Sequence, residues 1–148
     1  MRTVLLKSNV RFFLILLLIL VVFVRCDEDE IPFPDVYVNV TLQLDTQLGN
    51  VLVGEYVEVD GHGVGGLIIF RASQNEFLAF DRACTYETSS ECSLEDEVGY
   101  YNCPCCGSQF WMISNTDLAG TLKQGPAKSS LKQYNCYYNP PNQVIVRN

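Results

Sequence analysis

The chain has 148 residues, of which 48% are hydrophobic and 18% are charged, and its formal net charge is −7. Four of its ten Lys and Arg residues lie in the first 26 positions and all 17 Asp and Glu residues follow, so residues 27–148 carry six basic against 17 acidic side chains, a charge of −11. This acidity argues against nucleic-acid binding and against electrostatic attachment to anionic lipid, and 122 residues suffice for one compact domain.

The N-terminal region is typical of a secretory signal. Basic residues precede an apolar run of 13 residues, Phe12 to Val24, which is short for a membrane-spanning helix. Residues 1–25 are therefore predicted to be a signal peptide. A cysteine close after such a run, here Cys26 beyond Arg25, resembles the lipidation site of bacterial lipoproteins.

The acids that follow, Asp27 to Glu30, resemble the surface-export signal of lipoproteins in the Bacteroides group. The resemblance implies lipidation at Cys26, an acidic tether over residues 26–35, and a lipid-anchored domain at the bacterial outer membrane or cell surface. A signal cut elsewhere, or an uncut anchor, is the alternative, because Arg25 stands where such sites usually carry a small residue.

Residues 36–148 are predicted to form a single all-β domain. From Val36 to Leu44 apolar and polar residues alternate with period two, which indicates a half-buried strand. Gly49 and Asn50 predict a turn before Val51–Val53. Since no segment shows a helical stripe over ten positions, the prediction is a set of short strands in stacked sheets or a small barrel. Further strands are predicted at 56–59, 67–70, 77–80, 109–113, 134–138 and 143–147.

Two features exclude common kinds of catalysis. His62 is the single histidine, so neither a histidine pair nor a site built on several imidazoles is available. The glycine-rich stretch from Gly61 to Gly66 is followed by no predicted helix whose amides could bind a phosphate, and it is interpreted as a loop. A non-enzyme is predicted.

Six cysteines lie beyond Cys26, and an even number in an exported chain favours disulfides. Three bridges would allow 15 connectivities. Cys105 and Cys106 are adjacent and should have different partners. Cys103 and Cys106 have the Cys-x-x-Cys spacing that lets two thiolates point into one turn, with Gly107 allowing the chain to turn away, which is typical of a metal chelate. The six are Cys84, Cys92, Cys103, Cys105, Cys106 and Cys136.

The stretch CPCCGSQF, residues 103–110, resembles the second cluster loop of Rieske iron–sulfur proteins, Cys-Pro-x-His-Gly-Ser-x-Phe/Tyr. Residues 79–86 are similar to the family's first loop, which carries Cys-x-His, and Gly125-Pro126-Ala127 resembles its proline loop. The resemblance covers about residues 65–148. It implies stacked antiparallel sheets, a [2Fe–2S] cluster held between two loops, and transfer of electrons to a partner protein.

The departures from the family fall on the ligands. By position Cys84 and Cys103 match the two cysteine ligands, whereas Tyr86 and Cys106 stand where the family has histidines. Ser108 matches the serine whose hydroxyl bonds a bridging sulfide, and Gly107 and Pro126 match residues that support the cluster. The resemblance also implies a disulfide between Cys92 and Cys105, which fall near two extra cysteines that clamp the loops in some members.

Three interpretations therefore stay open. In the first, Cys84, Cys103 and Cys106 hold a [2Fe–2S] cluster together with Tyr86 or Cys92. In the second, the fold has lost the cluster and the thiols pair as Cys84 with Cys103 or Cys106, Cys92 with Cys105, and Cys136 with the remaining one, giving a structural or binding lipoprotein. In the third, the four residues Cys84, Cys92, Cys103 and Cys106 bind a structural zinc ion.

Overall fold

The structure, a computed structural model, describes residues 32–115 and 117–148. The predicted signal peptide, Cys26 and the acidic run lie outside the described residues. Among those described, no helix is long and apolar enough to cross a membrane.

Ten β-strands and one short 3₁₀ turn make up the regular structure of the described residues. The 3₁₀ turn is Ser90–Cys92. The strands are β1 (Asn39–Gln43), β2 (Tyr56–Val59), β3 (Leu67–Arg71), β4 (Phe77–Asp81), β5 (Glu95–Glu97), β6 (Tyr100–Asn102), β7 (Gln109–Trp111), β8 (Leu122–Gln124), β9 (Gln133–Asn139) and β10 (Gln143–Arg147). The predicted all-β class is confirmed.

The strands form two antiparallel sheets. One has six strands in the order β1-β10-β9-β4-β3-β2, and the other has four in the order β5-β6-β7-β8. Strand β9 joins the two halves of the larger sheet, since its first residues pair with β4 and its later ones with β10. The predicted hairpin of β3 and β4 is present, with Ile69 opposite Ala79.

Two apolar cores hold these layers together, one on each face of the hairpin of β3 and β4. Ile69 and Ala79 pack with Val144 and other residues of β1, β9 and β10. The alternate residues Ile68 and Phe80 face the four-stranded sheet. Burial of apolar surface stabilises the folded chain by about 25 cal/mol per Å². Because the hairpin of β3 and β4 buries both of its faces, it lies at the centre of the fold.

The sequence located seven of the strands, including the three-residue β7, and missed β5, β6 and β8. Strand β1 is shorter than the predicted 36–44. Strands β5, β6 and β8 have three residues each, too few for an alternating pattern to show, and β5 is entirely acidic. In β7, Phe110 is fully buried while Trp111 is partly exposed, so Phe110 is the residue that faces the core.

Candidate metal centre

The first cysteine loop, residues 82–94, leaves the end of β4 and carries Cys84, which is completely buried. Its base is closed by two backbone contacts: Ala83 bridges to Ser93, and the Leu94 amide donates to the Arg82 carbonyl at 2.7 Å. The backbone amides of Glu87 and Tyr86 face the Cys84 sulfur. The loop therefore fixes one inward thiol and surrounds it with N–H donors.

The second cysteine loop, residues 103–108, connects β6 to β7 in a tight turn. The Cys103 amide donates to the Ser108 carbonyl and the Gly107 amide donates to the Cys103 carbonyl, both at 2.8 Å. Gly107 has a φ of 75°, a left-handed conformation that favours glycine, as its place after the last thiol predicted. This turn points the buried Cys103 and the half-buried Cys106 to the same side.

The two loops bring three thiols together. The sulfur atoms of Cys84, Cys103 and Cys106 all lie within 4.8 Å of one another, and those of Cys84 and Cys106 are 3.5 Å apart. A tetrahedral ion with metal–sulfur bonds of about 2.3 Å holds its sulfur ligands about 3.8 Å apart. The three thiols are thus spaced as ligands of one metal centre, and thiolates suit zinc, copper(I) and iron–sulfur chemistry.

The remaining cysteines fall outside this group. Cys92 and Cys105 form a disulfide that ties the two cysteine loops together. The predicted disulfide is therefore present, and Cys92 is not a metal ligand as the cluster and zinc interpretations had offered, because its sulfur is already bonded. Cys136 lies on β9 against the core of β1, β9 and β10, and it is unbridged.

Tyr86, the proposed replacement for one histidine, follows Cys84 by two residues in the same loop. Its backbone amide faces the Cys84 sulfur, and its side chain is 37% exposed. The phenol is thus partly exposed to solvent, while the main chain of the same residue supports the Cys84 thiol.

Cys84 and Cys106 differ in how readily they ionise. Burial raises the pKa of Cys84 to about 12, although the Glu87 and Tyr86 amides act in the opposite direction. At Cys106 burial also raises the pKa, but hydrogen bonds with the hydroxyl and the amide of Ser108 and with the Cys103 and Cys84 sulfurs together outweigh it, and the pKa lies below the ordinary value of a thiol. Because a metal binds thiolates, loading the site releases protons.

Ser108 connects the thiols to a third segment. Its hydroxyl is fully buried, lies 3.1 Å from the Cys106 sulfur and accepts a hydrogen bond from the Ala127 amide at 3.0 Å. With the Ala127 amide as donor, the Ser108 proton is free to point at the sulfur. Ser108 thus holds Cys106 in place and favours its thiolate form.

We predict that Ser108→Ala raises the pKa of Cys106, because the thiolate loses its hydroxyl donor. The pH profile for alkylation of Cys106 in the metal-free chain should move to higher pH, with a several-fold slower reaction near neutral pH. Peptide mass spectrometry after timed iodoacetamide exposure measures the rate. Ser93→Ala is the matched control, since Ser93 donates to the Gly65 and Ser90 carbonyls and not to a thiol. Equal profiles for the wild-type and Ser108→Ala chains would contradict the assignment.

The proline segment, residues 125–130, contacts both cysteine loops. Ala127 bonds Ser108, and the Ser129 carbonyl accepts a hydrogen bond from the Thr85 hydroxyl at 3.1 Å. Gly125 has a φ of 126°, and a Cβ there would lie 2.4 Å from the Ser108 Cα, so only glycine allows this approach. Pro126 lies exposed between Gly125 and Ala127. Its neighbours, rather than its own ring, make the hydrogen bonds to the site.

Asp81 anchors the first cysteine loop, and the sequence analysis did not identify it. Its fully buried carboxylate accepts hydrogen bonds from the amides of Val64, Gly65 and Ala83 at 2.8 to 3.0 Å and from the Tyr134 hydroxyl at 2.8 Å. The glycine-rich loop thus supplies donors to an internal acid. Burial, followed by the hydrogen bond to Asp81, raises the pKa of Tyr134.

A second polar network borders the buried core. The Tyr101 hydroxyl donates to Glu58 at 2.8 Å, and Glu58 also pairs with Arg82 at the base of the first cysteine loop. Burial, followed by the hydrogen bond to Glu58, raises the pKa of Tyr101. The aromatic ring packs in the same core as Cys84 and Cys103. In the sequence, Tyr101 could have been linked to the site only through its position two residues before Cys103.

The chain matches no family model and no curated protein sequence. Among solved structures it resembles a plasma membrane Rieske protein from the cyanobacterium Synechocystis, with 19% identity, a TM-score of 0.48, and coverage of 75% of this chain and 99% of that one. A ferredoxin from Sphingomonas yanoikuyae B1 gives 19% identity, a TM-score of 0.45 and the same coverage. A putative NADH-dependent nitrite reductase small subunit from Mycobacterium tuberculosis gives 18% identity and a TM-score of 0.43, with coverage of 77% of this chain and 97% of that one.

Proposed function

We propose that the chain is an electron-transfer protein that binds a [2Fe–2S] cluster through Cys84, Cys103 and Cys106, with Tyr86 as the fourth ligand. The observation that carries the proposal is the convergence of three unbridged thiols from two separate loops to within 4.8 Å. The disulfide between Cys92 and Cys105 joins those same two loops beside the thiols. A purely structural disulfide domain has no need to keep three thiols unpaired in contact.

The residues present fit such a cluster in their donor chemistry. Fe–S clusters are held by thiolates, and N–H or O–H donors to the sulfurs tune their reduction potential. Here the amides of Tyr86 and Glu87 face Cys84, and the Ser108 hydroxyl faces Cys106. When bound, the cluster supplies one-electron chemistry. The protein contributes the ligands, the dry core around Cys84 and Cys103, and donors that stabilise their negative charge.

Ligand charge sets the expected potential. Anionic thiolate and phenolate ligands replace the neutral imidazoles of the Rieske pattern, which favours the oxidised state. The potential should fall from the Rieske range of about −150 to +300 mV toward the roughly −400 mV of plant-type clusters. It should also be independent of pH between about 6 and 9, because no histidine ligand is present to titrate.

A second candidate is a single tetrahedral ion such as zinc, with a structural role. The observation that favours it is the closeness of the three sulfurs, which lie within 4.8 Å of one another, and the 3.5 Å between Cys84 and Cys106 is near the roughly 3.8 Å edge of a tetrahedral thiolate site. With Cys92 in a disulfide, the fourth ligand would be Tyr86 or water. The disulfide-stapled binding protein remains as the interpretation without a metal.

For its cellular setting, we propose an exported, non-enzymatic protein that is anchored through a lipid on Cys26. The proposal rests on the signal-like residues 1–25 and the acidic tether of residues 26–35. The domain would then lie at the bacterial outer membrane or the cell surface. There it would exchange electrons with a partner protein.

Metal analysis of the full chain, purified anaerobically in mild detergent, tests the function. We expect about two irons and two acid-labile sulfides per chain, a reddish-brown colour with charge-transfer bands, and a low potential that does not change with pH. About one zinc per chain and no colour would support the single-ion candidate instead. A metal-free, colourless chain would overturn both and leave the disulfide-stapled protein.

A further inference from the structure

Five cysteines of the described chain lie in the two cysteine loops, and the structure holds them in two different states. Cys92 and Cys105 are bridged, while Cys84, Cys103 and Cys106 are thiols. One close approach joins the loops: the sulfurs of Cys84 and Cys106 are 3.5 Å apart, although 22 positions separate the residues. At this distance the two sulfurs are in van der Waals contact.

We propose that the metal-free site takes a second, reversible disulfide between Cys84 and Cys106, and that this bridge controls metal loading. The proposal rests on the proposed function, because the same thiols are the ligands. A disulfide has a sulfur–sulfur length of about 2.05 Å, so the two atoms must approach by about 1.5 Å. The loops are already tied together by Cys92 and Cys105, so closing a second link between them costs little further chain entropy.

The accessibility of the two sulfurs determines which of them reacts first with an oxidant. Cys106 is half-buried and open to a soluble oxidant, whereas Cys84 is fully buried. The Cys106 thiolate attacks a small-molecule disulfide such as oxidised glutathione, which forms a mixed disulfide and releases one glutathione thiolate. The Cys84 thiolate then attacks the Cys106 sulfur and releases the second. The two protons of the protein thiols go to the two glutathiones, and one disulfide is reduced as another forms.

The consequence for the metal follows from the number of ligands. With Cys84 and Cys106 joined, Cys103 is the one thiol left in the group, and a lone thiolate cannot chelate an ion. Bound metal has the reverse effect, since it occupies the lone pairs that the exchange reaction needs. The site would therefore be either metal-loaded or bridged, and a reductant would convert the bridged form to the loadable one.

Peptide mapping of the full chain tests the bridge. The chain is stripped of metal under reducing conditions, transferred anaerobically, exposed to oxidised glutathione, and alkylated before digestion. We expect a cross-linked peptide pair that contains Cys84 and Cys106, with Cys103 and Cys136 still alkylated as thiols. Zinc binding to the oxidised chain should be at least tenfold weaker than to the reduced one and should recover after mild phosphine reduction.

Two variants and a loaded sample serve as controls. Cys136→Ser should leave the cross-link unchanged, and Cys103→Ser should keep the pair while removing a different ligand. A chain already loaded with zinc should resist oxidation. Thiols that all stay free, or a cross-link from Cys103 instead of Cys106, would overturn the proposal even if metal binds normally. A cross-link in a chain that never binds iron would retain the bridge and remove the electron-transfer function.

Discussion

Replacing Cys106 with serine should lower the affinity of the chain for its metal by about 100-fold or more. Loss of residues that merely support a metal ligand already costs 10- to 100-fold, and this change removes one of three thiols. The remaining pair, Cys84 and Cys103, cannot close a tetrahedral site. Metal content per chain after anaerobic purification, together with the visible spectrum, measures the effect.

Cys136→Ser is the matched control for this prediction, because it also removes one thiol. Cys136 lies in the other core and its burial raises its pKa to about 12, so it stays protonated away from the site. Its replacement should leave the metal content unchanged. If Cys106→Ser and Cys136→Ser retained metal equally, the three-thiol centre would be wrong.

Replacing Asp81 with alanine should lower the free energy of unfolding by about 3 to 5 kcal/mol. The change leaves the amides of Val64, Gly65 and Ala83 and the Tyr134 hydroxyl without their acceptor in a fully buried place. Each buried donor left unpaired costs about 1–3 kcal/mol, with partial relief where the loop can relax. Urea unfolding of the metal-free chain with its disulfide intact measures the difference.

Asp60→Ala is the matched control, because it also removes an acid near the first cysteine loop but leaves the buried hydrogen bonds of Asp81 in place. Asp60 is exposed and pairs with Arg82 at 2.7 Å, and such surface pairs contribute about 1 kcal/mol or less. We also expect weaker metal binding in Asp81→Ala, because Ala83 directly precedes Cys84 in the loop that Asp81 anchors. A loss below about 1 kcal/mol in Asp81→Ala would show that the anchor is not needed.

Periodicity was a sufficient guide where strands are long and packed on one or both faces. Leu67 to Phe70 and Phe77 to Phe80 were identified as a hairpin because continuous apolar runs bounded by a turn have few other solutions. Glu95 to Glu97 gave no such signal, since an exposed acidic segment is equally typical of a loop. It becomes strand β5 because β6 offers it backbone partners, which is a property of the folded chain.

The residues of the site also fall into those that the sequence could predict and those that it could not. The turn from Cys103 to Ser108 could be predicted because its requirements are local: two thiols three positions apart, a glycine with left-handed φ, and a serine beside the last thiol. Asp81 could not, because its four donors come from three separate segments. The sequence around an acidic residue does not indicate which distant amides will donate hydrogen bonds to it in the folded chain.

The sequence by itself determined an all-β domain, an acidic surface and two cysteine loops, because composition, period-two patterns and spacing act over a few residues. The resemblance of the cysteine motifs to a known family implied which cysteines meet, but spacing alone could not, and only the tertiary structure brings them together. Cys92 pairs with Cys105 across 13 positions, and Cys84 reaches Cys106 across 22. No local rule sets distances over such separations. They follow from the packing of the β3–β4 hairpin against the four-stranded sheet, which brings the two loops to the same end of the fold.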